Sequence, residues 1–447
     1  MRLAELIVAA EHCVFVTGAG ISTNAGIRDY RGPEGIWTEA LAQGKVVGEP
    51  DADGDTPWDE AFYRLLPAAR PTFTHRAITA LTQPAPGRQQ PLVRHVITQN
   101  EDALHRRAGV DPAVLSEMHG NAFIEVCGKH ADGDSDSDLD SSSDDELPKA
   151  KAAAKARLRA ARREEVAEAK RLRPAGCGAA VVRNFVTYHG DTYQKSNPSG
   201  RHVTRRACPH CRGAGSAPAA SQGEEERPRE GPGWLLDSTV DFGEMPGGFP
   251  WGAPSLGAPT PCASQTRPEM GSGPECAPCS RPLGSRVGAG PNDVHGVASA
   301  KQHMQLADLV VVWGSSLSVL ANYFDPWHPG SRWAKPPPAG LRLAPPPAKA
   351  SPKSSRRTKP RPCLLAVVSR GDVLDQELAT IKIDDDVDGV AAELLQLLGV
   401  PPPPEYEPAA DPFVQQAVAP FPGEPAAPWT IDAALGLARG AGNGRDT

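Results

Sequence analysis

No apolar run in this 447-residue sequence approaches the length of a bilayer-spanning helix, so a helical membrane protein is excluded and a soluble one expected. An excess of positive charge is also missing. The formal net charge is -7, which argues against a global affinity for nucleic acid, since polyanion binders present a broad basic surface. No secretory-type leader is read at the start. The nine cysteines include two C-x-x-C pairs, which fits a reducing compartment and metal ligation better than a disulfide scaffold. There is no internal repeat. What is abundant is proline and glycine: 47 and 44 residues are too many for one compact fold of this length, so part of the chain is expected to be disordered. The 39% of hydrophobic residues concentrate in a few blocks, together long enough for one sizeable core.

Those blocks have a common pattern. Leu3 to Ala10 reads as the end of an amphipathic helix, and Cys13-Val14-Phe15-Val16 as a buried strand running into Gly18-Ala19-Gly20. So short a first helix has little to pack with, and upstream residues are expected to be missing. Val93 to Thr98 is a second strand, ending in Gln99-Asn100-Glu101-Asp102. Leu309 to Trp313 is a third, ending in Gly314-Ser315-Ser316, and Leu364 to Val368 a fourth, ending in Ser369-Arg370-Gly371. Short apolar strands that finish in polar or glycine-rich turns, separated by helical stretches, predict an α/β fold: a Rossmann-like parallel sheet with binding loops at its carboxyl edge. Asp386 to Leu398 supplies a terminal amphipathic helix, ended by Pro401 to Pro404.

The turn Thr17-Gly18-Ala19-Gly20-Ile21-Ser22 lets backbone amides approach a pyrophosphate, although the same residues also make a tight turn with no ligand. The continuation Ala25-Gly26-Ile27-Arg28-Asp29-Tyr30-Arg31-Gly32-Pro33 is too elaborate for simple chain reversal. Across Gly18 to Gly32 the sequence resembles the sirtuin family, whose motif is GAG-x-S-x-x-x-G-I-x-D-[FY]-R-G. Thr98 to His105 resembles that family's TQN-x-D-x-LH block, Glu117-Met118-His119-Gly120 its histidine block, Phe242-Gly243-Glu244 its FGE strand, and Gly314-Ser315-Ser316-Leu317 completes the order. Tyr30, Ile36-Trp37 after Gly35, and Ile124-Glu125-Val126-Cys127 look most similar to the class IV, nuclear six-and-seven branch. The resemblance runs from Leu3 to about Val400, insertions excluded.

The resemblance implies an NAD-dependent protein-lysine deacylase that consumes NAD and yields nicotinamide, deacylated lysine and O-acyl-ADP-ribose. Its catalytic residues would be His119, Asn100 and Asp102, with His119 as general base on a ribose hydroxyl. Asn100 and Asp102 would line the nicotinamide and ribose pocket with Ile27; Asp102 also suits a helix cap, and a lone His before Gly a surface position. Gly18, Ala19, Gly20, Ser22, Asp29, Tyr30, Gln99, Gly314, Ser315 and Ser316 complete the cofactor site, and Arg31 closes over it. Ser369 stands where the family usually has Asn, which weakens the expected affinity and turnover. Val240-Asp241-Phe242 would take the acylated peptide as an added strand, or be an ordinary edge strand. His105 is read as structural.

The resemblance further implies one structural zinc held by two C-x-x-C pairs. Cys208 and Cys211 form the second. The first is broken, because Cys127 is followed by Gly128-Lys129-His130. Either His130 completes a Cys3His site, or a charged insertion splits the knuckle and Cys177, flanked by Gly176 and Gly178, is the missing thiolate; the ligand set Cys127, Cys177, Cys208 and Cys211 is preferred. Cys276 and Cys279, in Pro/Gly-rich surroundings, are read as chance.

Residues 1–126 are thus read as the first part of the NAD-binding domain with a helical insert, and 127–245 as a zinc module interrupted by the charged insertion 131–176. Residues 246–292 are a disordered insertion, 293–400 the second part of the domain with a linker at 329–361, and 401–447 a Pro/Ala-rich tail; 212–232 are also expected to lack fixed structure. Residues 131–147 carry eight acidic side chains and 149–173 ten Lys/Arg against three Glu. They would contact histone tails and nucleic-acid phosphates, or simply attract each other. Arg356 to Arg361 is a nuclear import signal or a plain basic linker, and nuclear residence is expected. Three other functions stay open: protein mono-ADP-ribosyl transfer, a low-turnover chromatin scaffold, and hydride transfer with NAD kept intact.

Overall fold

The computed structural model describes residues 2–32, 34–42, 44, 63–84, 88–127, 179–187, 203–209, 234–239, 295–318, 320, 363–421, 424, 427 and 429–437. The insertions read at 131–176, 246–292 and 329–361 lie outside them.

Among the described residues ten strands form two sheets. The larger contains β1 (Cys13–Thr17), β2 (His95–Thr98), β3 (Leu115–Glu117), β8 (Leu309–Trp313), β9 (Leu364–Val368) and β10 (Ile381–Ile383), in the order β10-β9-β8-β1-β2-β3 with every pairing parallel. The smaller is antiparallel, β5-β4-β7-β6, from β4 (Ile124–Cys127), β5 (Ala180–Val182), β6 (Val203–Ala207) and β7 (Trp234–Asp237). The large sheet has the order of a Rossmann-like fold. The chain adds strands to one side of β1, then crosses to the other, so a crevice opens beyond the carboxyl ends of β1 and β8, where ligands bind in such sheets.

The central strands are β-branched, buried on both faces, and covered by helices. On one face α1 (Arg2–Ala9), α3 (Phe73–Leu81) and α6 (Val387–Leu398) enclose Phe15, Val96, Val311, Trp313 and Val368; on the other, α5 (Val297–Leu306) covers Val14, Val16, Val310 and Val312. Short as it is, α1 finds a partner: Leu3, Leu6 and Ile7 are buried in the cluster that α6 completes. Asp386 caps α6 through the Gly389 amide at 2.8 Å. Gly399, in the left-handed region at φ 65°, ends the helix before the prolines are reached. The remaining helices are α2 (Ile36–Ala42), α4 (Leu104–Arg107), α7 (Pro412–Gln416) and α8 (Ile431–Leu435).

Residues 401–421 and 429–437, read from their composition as part of a tail, are folded. Phe413, Val414 and Ile431 are buried, and Arg183 and Phe185 bridge to Val418 and Thr430. The apolar residues of 401–437 are scattered among prolines and polar residues without a regular period, which is why composition concealed this packing.

Burial of neutral imidazoles makes the fold acid-sensitive. His75, His95 and His105 are nearly inaccessible, and desolvation pushes all three down, His105 to about 3. The unfolded chain binds these protons near the ordinary value of 6.5 while the folded one does not, so stability is complete above that value and is lost as the pH falls below it. Between about pH 7 and about pH 5 each such imidazole should cost about 2 kcal/mol. Urea midpoints across that range check this; a pH-independent midpoint would contradict it.

Candidate active site

Four strand ends converge on the crevice. The turn after β1 packs directly on the turn after β8: the Gly20 amide donates to the Gly314 carbonyl at 2.8 Å and the Gly18 amide to the Trp313 carbonyl at 3.2 Å. A Cβ at Gly18 would lie 2.8 Å from Ser315 Cβ, and one at Gly20 2.9 Å from Gly314 Cα. The glycines therefore serve first to bring two turns into backbone contact, a use the sequence did not disclose. Gly314 also donates to the Val368 carbonyl at 2.9 Å, which places Ser369, at the end of β9, on the same edge.

The loop after β2 interlocks with both turns. Asn100 Nδ2 donates to the Gly18 carbonyl at 3.1 Å and to Ser22 Oγ at 3.2 Å, and Ser22 Oγ donates to Asp102 Oδ2 at 2.6 Å. Gln99 Nε2 reaches Ser315 Oγ at 2.6 Å. Thr98 Oγ1 accepts the Asn100 amide at 3.0 Å, a supporting contact that the bare motif does not reveal. Asp102 Oδ1 accepts the Leu104 amide at 2.9 Å and so holds the first turn of α4, although the residue at its N-cap is Ala103. Between them Ala103 adopts φ 63°, a conformation that costs a non-glycine residue roughly 1 kcal/mol and marks a locally constrained loop. Burial pushes Asp102 upward, while the Ser22 hydroxyl, the Leu104 amide and Arg107 work against that shift.

His119 follows β3, partly buried. Burial holds its imidazole down at about 4; a backbone hydrogen bond with Gln99 opposes the shift and the neighbouring His295 reinforces it. It is therefore neutral at physiological pH and able to take a proton. Glu117 and Asn121 hold its loop. Glu117 accepts from Arg106 Nε at 2.7 Å and Asn121 Nδ2 at 2.6 Å, and Asn121 in turn exchanges hydrogen bonds with Ser238. His295, which also contacts the Ser238 carbonyl at 3.0 Å, comes from the edge of an insertion and has no sequence signal pointing to it.

Other sequence-predicted residues border this network or lie away from it. Ile27 is buried among Ala103, Leu104 and Phe123. Asp29 accepts the Gly32 amide at 3.0 Å, and Tyr30 and Arg31 stack on Trp37 of α2, so their loop folds back on itself. Ser316 pairs with Ser318, and Ala19 belongs to the short 3-10 turn after β1. His105 bonds Thr17 Oγ1 at 2.9 Å beneath the site, a structural position. Val240, Asp241, Phe242, Cys177, Cys211, His130, Cys276 and Cys279 lie outside the described residues.

Cys127 and Cys208 are fully buried in one cluster with Val181 and Leu235. Cys127 pairs with Leu235 of β7, and Ala207, next to Cys208, with Trp234, so both thiols belong to one end of the small sheet. The Cys127 amide donates to the Ala179 carbonyl at 2.9 Å, which brings the chain two residues after Cys177 against Cys127. Among the described residues no three ligating side chains cluster for a metal.

Residues 18–212 match the Sir2 family. Over 126 residues the chain is 45% identical to the mouse NAD-dependent protein deacetylase sirtuin-7, covering 28% of this chain and 26% of that protein. Over 128 residues it is 46% identical to the Drosophila melanogaster NAD-dependent protein deacetylase Sirt6, covering 29% and 34%. Over 134 residues it is 37% identical to the NAD-dependent protein deacylase 2 of Pyrobaculum aerophilum, covering 29% and 50%. The matches thus span a quarter to a half of these relatives' lengths.

Proposed function

We propose that this chain, which carries a Sir2 family domain over residues 18–212, is an NAD-dependent protein-lysine deacylase. The observation that carries the reading is the interlocked set Gly18, Ser22, Asn100 and Asp102 at the switch point of the sheet, with the neutral His119 beside Gln99. Buried hydrogen-bonding side chains at three strand ends fit a dinucleotide: Asn100, Asp102, Ser315 and Ser369 are each less than a tenth exposed. When bound, NAD supplies a ribose carbon that becomes electrophilic as nicotinamide departs, and the hydroxyls that receive the acyl group. Asn100 and Asp102 orient the nicotinamide end, their geometry preset by Ser22 and the Leu104 amide. Ile27 and Leu104 keep water from that end. His119 takes the proton of a ribose hydroxyl. Val240-Asp241-Phe242, a few residues beyond β7, receive the acylated peptide as an added strand.

The same reading gives the protein one structural zinc, bound by Cys127, Cys177, Cys208 and Cys211. The burial of Cys127 and Cys208 in one cluster, and the approach of Ala179 to Cys127, support Cys177 over His130. Four thiolates leave the ion no open position, and it would only brace the small sheet. Histone tails as substrate and the nucleus as compartment belong to the same reading, supported by the class IV resemblance of Tyr30, Ile36-Trp37 and Ile124 to Cys127. Ser369, in place of Asn, makes a slower enzyme.

The decisive assay supplies NAD and an acetylated histone peptide and follows nicotinamide and O-acetyl-ADP-ribose. Labelled protein in place of that product would indicate ADP-ribosyl transfer, and neither product a scaffold. For the metal, one zinc per chain is expected, lost in Cys177→Ser and kept in His130→Ala. The reverse result would assign a Cys3His site.

A further inference from the structure

Two arginines of this protein, one on α4 and one just beyond β5, are fully buried, and both find an acidic partner in the carboxy-terminal segment. Arg107, on the helix that follows the Asn100-Asp102 loop, donates from Nε to Asp411 Oδ2 at 3.3 Å and from a guanidinium nitrogen to the Tyr406 hydroxyl at 3.0 Å. The Tyr406 hydroxyl donates to the same Asp411 oxygen at 2.6 Å, while Asp411 Oδ1 caps α7 through the Phe413 and Val414 amides. Arg183, just beyond β5, donates to Glu125 at 2.6 Å and to Glu424 at 3.1 Å. Glu125 already serves Arg206 at 2.6 Å, so without Glu424 one carboxylate would face two buried guanidinium groups.

Apolar packing follows the same path. Phe413, Val414 and Ile431 share a core cluster with Ile27, Ala103 and Leu104, the residues that back the Asp102 loop. The backbone joins as well: Val418 exchanges hydrogen bonds with Val182 and Asn184, at 2.9 Å and 3.1 Å, and the Ile431 amide donates to the Asn184 carbonyl at 2.6 Å. None of this segment falls within residues 18–212.

We infer that Tyr406, Asp411 and Glu424 are positioning residues: through Arg107 and Arg183 the carboxy-terminal segment clamps the Asn100-Asp102 loop to the small sheet. Its catalytic consequence rests on the deacylase reading above; the clamp itself does not. Releasing Arg107 lets the loop, already constrained at Ala103, leave the binding-competent arrangement. Apparent affinity for NAD then falls in proportion to the competent fraction, while a molecule that has bound NAD reacts as before.

The test uses the full chain as Asp411→Asn, Asp411→Glu and Tyr406→Phe, with NAD and an acetyl-lysine peptide as probes. In Asp411→Asn, amide exchange across residues 101–108 should quicken roughly tenfold while β1, β8 and β9 keep their protection. The KM for NAD should rise roughly tenfold with kcat changed less than about twofold. Asp411→Glu should recover part of both, and Tyr406→Phe, which removes one hydroxyl, should show a smaller change in the same direction. Unchanged exchange at 101–108, or an equal rise throughout the large sheet, would overturn the inference. If Asp411→Asn does not fold, Tyr406→Phe decides by the same criteria. A wild type that turns over no acyl peptide would count against the deacylase reading, and the exchange measurement would still judge the clamp.

Discussion

His119→Ala should reduce formation of O-acetyl-ADP-ribose from NAD and acetyl peptide by roughly 10²- to 10⁴-fold, the range for loss of a positioned general base. The fold should survive, because the Glu117, Asn121 and Ser238 contacts around that loop do not use the imidazole. Burial holds His119 at about 4, so the imidazole is neutral, and competent as a base, throughout the neutral range. The His119-dependent rate should therefore be flat from about pH 6 to about pH 8 and fall as the pH approaches about 4, where the base acquires its proton. A rise in rate on acidification would have the wrong sign for a general base. Single-turnover measurements on both proteins decide the role, and equal turnover would sink it.

Most of the large sheet was legible because its strands are short apolar runs bounded by glycine or polar turns. Leu309–Trp313 and Leu364–Val368 have the predicted bounds, and β1 extends the predicted strand by Thr17 alone. Parallel strands buried on both faces leave this trace whatever surrounds them. The motif residues that meet are those whose spacing is fixed by a strand end: Gly18, Asn100, Gly314 and Ser315. Less was readable where function depends on contacts between distant segments. Nothing in Tyr406, Asp411 or Glu424 announces a buried arginine 300 residues away in the case of Arg107, since ion pairing between loops has no sequence period. His295 was invisible for the same reason. The proline-rich composition of residues 401–437 concealed a packed segment, because Pro at the first turn of α7, beside the Asp411 cap, starts a helix as readily as proline ends one.

Gly120→Ala should be among the most damaging additions of a single methyl group. Gly120 has φ 79°, and a Cβ there would lie 1.5 Å from the Ser238 carbonyl oxygen and 2.4 Å from its carbon. Neither atom can yield cheaply: that oxygen meets His295, the Ser238 amide donates to Ile124, and the Ser238 hydroxyl is tied to Asn121. The loop must therefore separate from the end of β7, where the chain leads toward Val240-Asp241-Phe242. Gly371→Ala supplies the control, because Gly371 has φ 88° with nothing within 4 Å of its Cβ. It should cost only the backbone conformation, about 1 kcal/mol, whereas Gly120→Ala adds the clash and should cost about 4 kcal/mol or more. Thermal melts of the two variants separate these contributions, and equal losses would show that the contact between Gly120 and Ser238 is loose. If Gly120→Ala still folds, turnover of acyl peptide should fall further than NAD binding, because the displaced elements are His119 and the approach to the proposed peptide strand, while the Gly18, Asn100 and Ser315 contacts use neither Gly120 nor Ser238.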